Sequence, residues 1–535
     1  MLRHFSPTKQ LGGVLIILAL VTTTVLLDGC RDEESRYGGT VVLSTFEEPA
    51  GFNPLFYLDT LAPGIGSLIF NTLVKLDEQL TFVPELAESW QVSGDGRTWD
   101  FYLREGVTFH DGEQLDADDV VFTYRTLLDP ASESPLAPLY GIVEEIEAVD
   151  DRRVRFHLAE PYSPFPYLLL LEIIPKHLFR EQGISFEEFA RNPVGSGPFV
   201  FESWDGERIR LSPNPEYFEG RPYLDQVDVK WYPDQSRAWS ALMQGEVDLV
   251  MDLELEDYRV IEEDPRFKIY DYSDVFYHTL LFNLADPLFA DAELRQALDL
   301  AVDREDLIEQ ALNGWAIETT GPFRPGTWSY NPDVTGARHD PARAAEILAG
   351  LGWLDVDGDL ILEKDGRELA FTILADEGDL LKEAVARRIK WQLFQVGIRA
   401  EVELLPPQEL FEERLYPGEF QAVILQFNAG ADPDKFTRLF WHSENIGYSN
   451  LGAYSNPEVD RLIEAGRTSM DFEERKSLYG RIHALIARDR PALFLYVRKV
   501  FFAASARLEG INAAPELLYP SVKDWYIDPS QEERR

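Results

Sequence analysis

Residues 84–124 read PELAESWQVSGDGRTWDFYLREGVTFHDGEQLDADDVVFTY. Ser93-Gly94-Asp95-Gly96-Arg97 carries turn chemistry, and Trp99 to Leu103 then alternates apolar and polar residues as the second arm of a hairpin. His110-Asp111-Gly112 is a further turn. Asp116 predicts a helix N-cap, with Asp118 and Asp119 in the first turn of a helix running to about Leu128. Trp90, Trp99 and Phe101 are expected in the core. A hairpin followed at once by a capped helix is an α+β unit, and it sits near the front of a long chain.

Strand and helix periods interleave outward from there. Gly39 to Thr45 reads as a buried strand, Arg153–Leu158 alternates, and Arg208–Leu211 and Val227–Trp231 read as further strands. The second half is more regular. Asp291 caps a helix with apolar positions Leu294, Ala297, Leu298, Ala301 and Val302. Asp340-Pro341 opens another helix and Gly350 closes it. Ala384, Val385, Ile389, Leu393 and Val396 form a stripe ending at Gly397, and Ile398, Ala400, Val402 and Leu404 then alternate. Helix followed by strand predicts α/β layering with a partly parallel sheet. With no long Gly/Ser linker, the halves are expected to share crossing strands.

Composition narrows the function. The chain has 535 residues and 45% of them are apolar, enough for several packed cores. Fifty Lys and Arg against 94 Asp and Glu give a formal charge of −44, which excludes nucleic acid as a partner. Arg3, His4 and Lys9 precede an uncharged, largely apolar run, Leu11 to Leu27, that ends in Leu27-Asp28-Gly29-Cys30. That is the plan of an export signal, residues 1–30, with the chain's only cysteine at its cleavage end. Leu27, Gly29 and Cys30 resemble a lipobox, whose cysteine is lipidated; Asp28 departs from it. An uncleaved membrane anchor is the other reading, and both leave the body outside the cytoplasm. One cysteine permits no disulfide framework or zinc knuckle.

Catalytic motifs are missing. The eight histidines form no HExxH or other close metal pair. Val194-Gly195-Ser196-Gly197-Pro198 lacks GxSxG spacing and reads as a tight glycine turn. Asp355-Val356-Asp357-Gly358-Asp359 has its glycine at the fourth position, where a calcium loop needs it at the sixth, and reads as a hairpin turn. No P-loop or GxGxxG is present. No catalytic residue, metal ligand or cofactor is assigned.

The opening stretch closely resembles the signature region of the peptide/nickel-type solute-binding proteins of ABC importers, family 5. Further matches follow in order: Gly51-Phe52-Asn53-Pro54, Gly195-Ser196-Gly197-Pro198-Phe199, Asn214-Pro215-Glu216-Tyr217-Phe218, Phe282-Asn283, Leu294-Arg295-Gln296-Ala297, Asp303-Arg304, Asp340-Pro341-Ala342-Arg343-Ala344, Asp432-Pro433-Asp434 and Asn456-Pro457-Glu458-Val459-Asp460. The resemblance implies an α/β, two-lobed periplasmic-binding-protein fold (type II, cluster C) with an extra α+β domain on lobe one. Lobe one is expected at 36–285 plus 498–535, the extra domain near 71–190, and lobe two at 286–497. The hinge is expected near Leu281–Pro287 and Leu493–Val500. The implied function is an extracytoplasmic, lipid-tethered, monomeric receptor that captures a small solute between its lobes and delivers it to a membrane permease. A peptide is the first choice of solute; a sugar, an opine-like compound or a metal chelate stands behind it. An extracytoplasmic hydrolase of peptides or sugars is the rival reading.

The resemblance also implies a pocket. Lobe one would offer Phe46, Glu47 and Glu48 from the loop after the first strand, with Tyr277 and His278 before Phe282-Asn283. Lobe two would offer Asn428, Asp432, Asp434 and Trp441. Peptide receptors of the family hold the ligand's α-amino group with an aspartate just before the lobe-two motif, but here the corresponding stretch, Phe427-Asn428-Ala429-Gly430-Ala431, holds no acid until Asp432. Asp432 takes that role, or Glu47 or Glu48 supplies the charge, or the ligand has no free amine.

Overall fold

The computed structural model describes residues 36–57, 61–514, 518–528 and 530. Cys30 and the rest of the expected export signal lie outside these described residues.

An eleven-stranded mixed sheet runs through both lobes. Its lobe-one half contains the strands Thr40–Thr45, Leu249–Val250, Gln226–Trp231, Arg208–Pro213 and Phe199–Trp204. Thr40–Thr45 lies parallel to both Gln226–Trp231 and Leu249–Val250. Its lobe-two half contains Arg399–Leu405, Ala370–Asp376 and Ala422–Asn428, paired in parallel in that order. This is the partly parallel layering that the helix-then-strand pattern predicts. In the Ala370–Asp376 strand, Ile373 and Ala375 enter one core and Leu374 the core on the other face. Burial on both faces explains why this strand reads as a nearly continuous apolar run.

Two long antiparallel strands join the halves, Phe267–Phe282 and Ala492–Ser505. Phe267 to Ser273 pairs with Ser505 to Lys499 in lobe one, and Tyr277 to Leu281 pairs with Val497 to Ala492 in lobe two. The register shifts between Ser273 and Tyr277, and again between His278 and Thr279. The two expected hinge segments meet only at one end: Leu281 lies opposite Ala492, and the ladder pairs residues 493–500 with residues 272–280. The chain at 282–284, however, is tied into lobe two. Asn283 N–H donates to Gln421 O, its carboxamide donates to Gly418 O and Phe420 O, and Leu284 N–H donates to Gly452 O. Both irregularities in the crossing strands lie before 281, the wider one between Ser273 and Tyr277.

The opening stretch folds as read. Ala87–Val92 and Thr98–Leu103 form the hairpin, extended by Arg153–Leu158 and Val143–Asp150 into a separate four-stranded antiparallel sheet. The helix Ala117–Leu128 starts in a capping box: the Asp116 carboxylate accepts from Asp118 and Asp119 N–H, and Asp119 accepts from Asp116 N–H. Trp99, Phe101, Phe156 and Phe165 cluster beneath this sheet. Gly197 N–H donates to Ile69 O at 2.8 Å, and a Cβ on Gly195 would fall 2.0 Å from the same oxygen. The Gly195-Ser196-Gly197 turn is thus a seam of close backbone contact and not a nucleophile site.

Candidate functional site

The lobe-two candidates fall into two groups. Tyr277 and Trp441, drawn from positions 164 residues apart, meet through Trp441 Nε1–H donating to the Tyr277 hydroxyl at 3.0 Å. Both are 1% exposed and pack with Phe427 and Phe494. They are core in this conformation and offer no open face to a solute. Asn428 is half-buried, and its carboxamide oxygen accepts from Gly430 N–H, holding the loop that follows its strand.

The second group is ionic. Asp432 is buried and receives both ends of the Arg475 guanidinium, at 2.9 and 3.0 Å. Arg475 Nε donates to Gly466 O, and its charge sits over Trp328 and Tyr479. Asp434 is fully buried and faces Arg467 at 3.4 Å and the Tyr479 hydroxyl at 3.4 Å. Burial pushes its carboxyl up to about 6, although Arg467 opposes the shift. Asp432 is thus committed to an intramolecular fork–fork pair.

This ionic group touches the extra domain. Ser163 N–H donates to Arg467 O at 2.8 Å, and Ser163 Oγ lies 3.0 and 3.1 Å from Gly466 O and Arg467 O. The Arg467 guanidinium lies over the Tyr162 ring and 3.9 Å from Glu160. Nearby, Met470 of lobe two packs into the space left by the absent side chain of Gly96. The sequence hid this contact because the partners are about 300 residues apart.

His278 is 4% exposed, and neither of its ring nitrogens has a hydrogen-bond partner among the described residues. Its ring stacks on Tyr496 at 4.5 Å between centroids, and the Tyr496 hydroxyl is likewise buried and unpartnered among the described residues. Burial, with the charges of Lys382 and Arg498 added, pushes His278 down to about 3, so it is neutral at physiological pH.

The lobe-one candidates lie apart from these groups. Phe46 and Glu47 are exposed at the end of the first strand. Glu48 accepts from Trp204 Nε1–H at 2.8 Å and lies 3.9 Å from Arg191, itself seated on the Trp204 ring. Among the described residues no hydrogen bond or ion pair joins these three to the lobe-two candidates.

Two further features bear on binding chemistry. Asp355, Asp357 and Glu363 bring carboxylate oxygens within 4.8 Å of one another. Backbone N–H groups already occupy them: Gly358 and Leu360 donate to Asp355, Asp359 to Asp357, and Val356 to Glu363. A cavity of about 600 Å³ opens between lobe one and the extra domain, with Glu172 in its wall. The sequence signal for it was an acid closing the run Leu168-Leu169-Leu170-Leu171, where a carboxyl is carried into a core by its neighbours.

Comparison with known proteins shows the family and the fold. The family described as bacterial extracellular solute-binding proteins, family 5 Middle, matches residues 81–448. The oligopeptide-binding protein AppA of Bacillus subtilis is 31% identical over 543 residues, 97% of this chain and 99% of its own. The solved structure of that protein with a nonapeptide covers 92% of this chain and 99% of its own at a TM-score of 0.68 and 32% identity. NikZ from Campylobacter jejuni, solved with Ni(L-His), covers 91% of this chain and 99% of its own at a TM-score of 0.71 and 26% identity. The helices among the described residues include none long and apolar enough to cross a membrane.

Proposed function

The chain belongs to the bacterial extracellular solute-binding proteins of family 5 and is a substrate-binding receptor of an ABC importer, and from that premise we propose that its solute is a peptide. The family's members are receptors that work outside the cytoplasm, not enzymes. The observation that carries the peptide reading is the end-to-end similarity to a relative solved with a nonapeptide. Lobe one is assigned to 36–276 plus 498–535, the extra domain to about 71–190 and lobe two to 277–497, so the boundary expected at 285 moves back along the crossing strand. The hinge is moved to Ser273–Tyr277 opposite Val497–Lys499, where the register breaks. Solute contacting both lobes stabilises the closed arrangement, and the Ser163–Arg467 contact adds to it.

Of the three acids weighed as the anchor for a peptide amine, Asp432 is held by Arg475 and Glu48 by Trp204 and Arg191. That leaves Glu47. The mature protein is a monomer tethered through a lipidated Cys30 and delivers its solute to a permease. Native mass spectrometry of the purified protein reads out any co-purified ligand. A peptide mass, with calorimetric affinity lost in Glu47→Ala and kept in Glu48→Ala, is the expected result; a sugar or metal chelate in its place refutes the peptide reading. Cys30→Ser is expected to move the protein from the membrane fraction to the soluble one, and full retention refutes lipidation.

A further inference from the structure

The cavity between lobe one and the extra domain is lined by Tyr57, Pro63, Tyr140, Tyr167, Leu170 and Glu172, among others, and no residue of lobe two lines it. Its size falls in the range of small-molecule sites. Glu172 is 94% buried by its 6% exposure, and one carboxylate oxygen, Oε2, accepts from the Tyr57 hydroxyl at 2.6 Å. The other, Oε1, has no donor among the described residues. The remaining charges on the wall are already matched. Glu85 accepts from Asn71 Nδ2 and from the N–H and hydroxyl of Thr72, and Lys75 is held by Glu219 at 2.6 Å. Among the described residues the hollow therefore presents one carboxylate oxygen without a donor in a tyrosine-lined space.

We propose that this cavity binds an organic ammonium ion, with the –NH3+ group seated on Glu172 Oε1 and an apolar or aromatic body against Tyr140 and Leu170. Each feature of the wall selects for that chemistry. An anion would meet the Glu85 and Glu172 carboxyls. A hard divalent ion needs six or more oxygen ligands, and one free carboxylate oxygen does not supply them. An ammonium group needs a carboxylate, further acceptors such as Ser67 Oγ on the same wall, and ring faces, and finds all three. Burial, reinforced by the charge of Glu85 and opposed by the Tyr57 hydrogen bond, pushes Glu172 up to about 8. At neutral pH the entering cation therefore displaces a proton.

The probe is 2-phenylethylamine, titrated into the full mature protein by calorimetry from pH 6 to 8. Saturable 1:1 binding is expected, tightening roughly tenfold per pH unit below about pH 8, with close to one proton released at pH 7. Glu172→Gln is expected to abolish it, and the neutral N-acetyl derivative is expected not to bind. Absence of saturable binding, equal binding by the neutral derivative, or an affinity flat with pH overturns the proposal. The last two readouts use the native chain and hold even if Glu172→Gln fails to fold. The proposal stands apart from the peptide reading. Competition by the co-purified solute, with compaction in small-angle scattering, identifies the ammonium as part of that solute; binding without competition identifies a separate free amine.

Discussion

Asp432→Ala removes one half of a buried ion pair and leaves the other half in place. Arg475 is 7% exposed, and its remaining bond runs from Nε to Gly466 O, so both terminal nitrogens lose their acceptors at once. Asp434 N–H loses its acceptor as well. Breaking a buried pair by deleting one partner costs about 3–5 kcal/mol, because the stranded charge keeps its full desolvation penalty. Native domains hold only about 5–15 kcal/mol in total, so lobe two should lose a large part of its stability. Replacing both partners by apolar residues, Asp432→Leu with Arg475→Met, removes both charges together and should restore most of the loss. Urea unfolding followed by tryptophan fluorescence reads this, since Trp328 and Trp441 both lie in lobe two. If Asp432→Ala stays within about 0.5 kcal/mol of the parent while ligand affinity collapses, Asp432 is a ligand anchor and the structural assignment is refuted.

Three further outcomes are expected. Ser163→Ala removes hydroxyl bonds that bridge the lobes and should weaken ligand binding roughly 2- to 10-fold, the equivalent of about 0.5–1.5 kcal/mol, without touching the ligand; unchanged affinity by calorimetry would deny the contact a part in closure. Tyr496→Phe deletes a buried hydroxyl that has no partner among the described residues, and should leave stability equal or raise it by about 1 kcal/mol in chemical denaturation; a clear loss would reveal a bound water or ligand group at that oxygen. For Glu172, an acid whose folded-state pKa of about 8 lies above its ordinary 4.5 binds its proton more tightly when folded, so stability falls as pH rises from about 4 through 8. The stability of Glu172→Gln relative to the parent should grow across that window, and a constant difference in urea midpoints would show that the carboxyl is solvated.

What local spacing controls was legible, and what long-range partnering controls was not. Asp116 announces its helix because its capping partners lie two and three residues away. The alternation in Trp99–Leu103 announces its strand because one face is buried. The family was legible for the same reason, since its motifs are mostly caps and turns. Nothing near Trp441 reveals that its indole N–H is matched to a tyrosine on a crossing strand, so a core residue and a cleft residue look alike in sequence. Asp432 looks like a ligand anchor until Arg475, 43 residues on, is seen to fill it. Phe282-Asn283 is conspicuous as a motif, whereas the register break at Ser273–Tyr277 depends on how two strands of unequal path meet and leaves no mark in either strand's own spacing.

The crossing strands also set an order of assembly. Chain enters lobe two at Tyr277 and leaves it at Val497, and these two residues are direct neighbours across the ladder. Lobe two is therefore one uninterrupted length of polypeptide, complete in itself once Val497 has been made. Lobe one is encoded first but cannot close. Leu249 and Val250 wait for Ala504 and Ala503, and Asp248 waits for Arg507, which also reaches Thr40 O at the first strand. During vectorial synthesis and export the lobe that emerges first is the last to finish. Its open strand edge must be kept from pairing wrongly until the final thirty or so residues arrive.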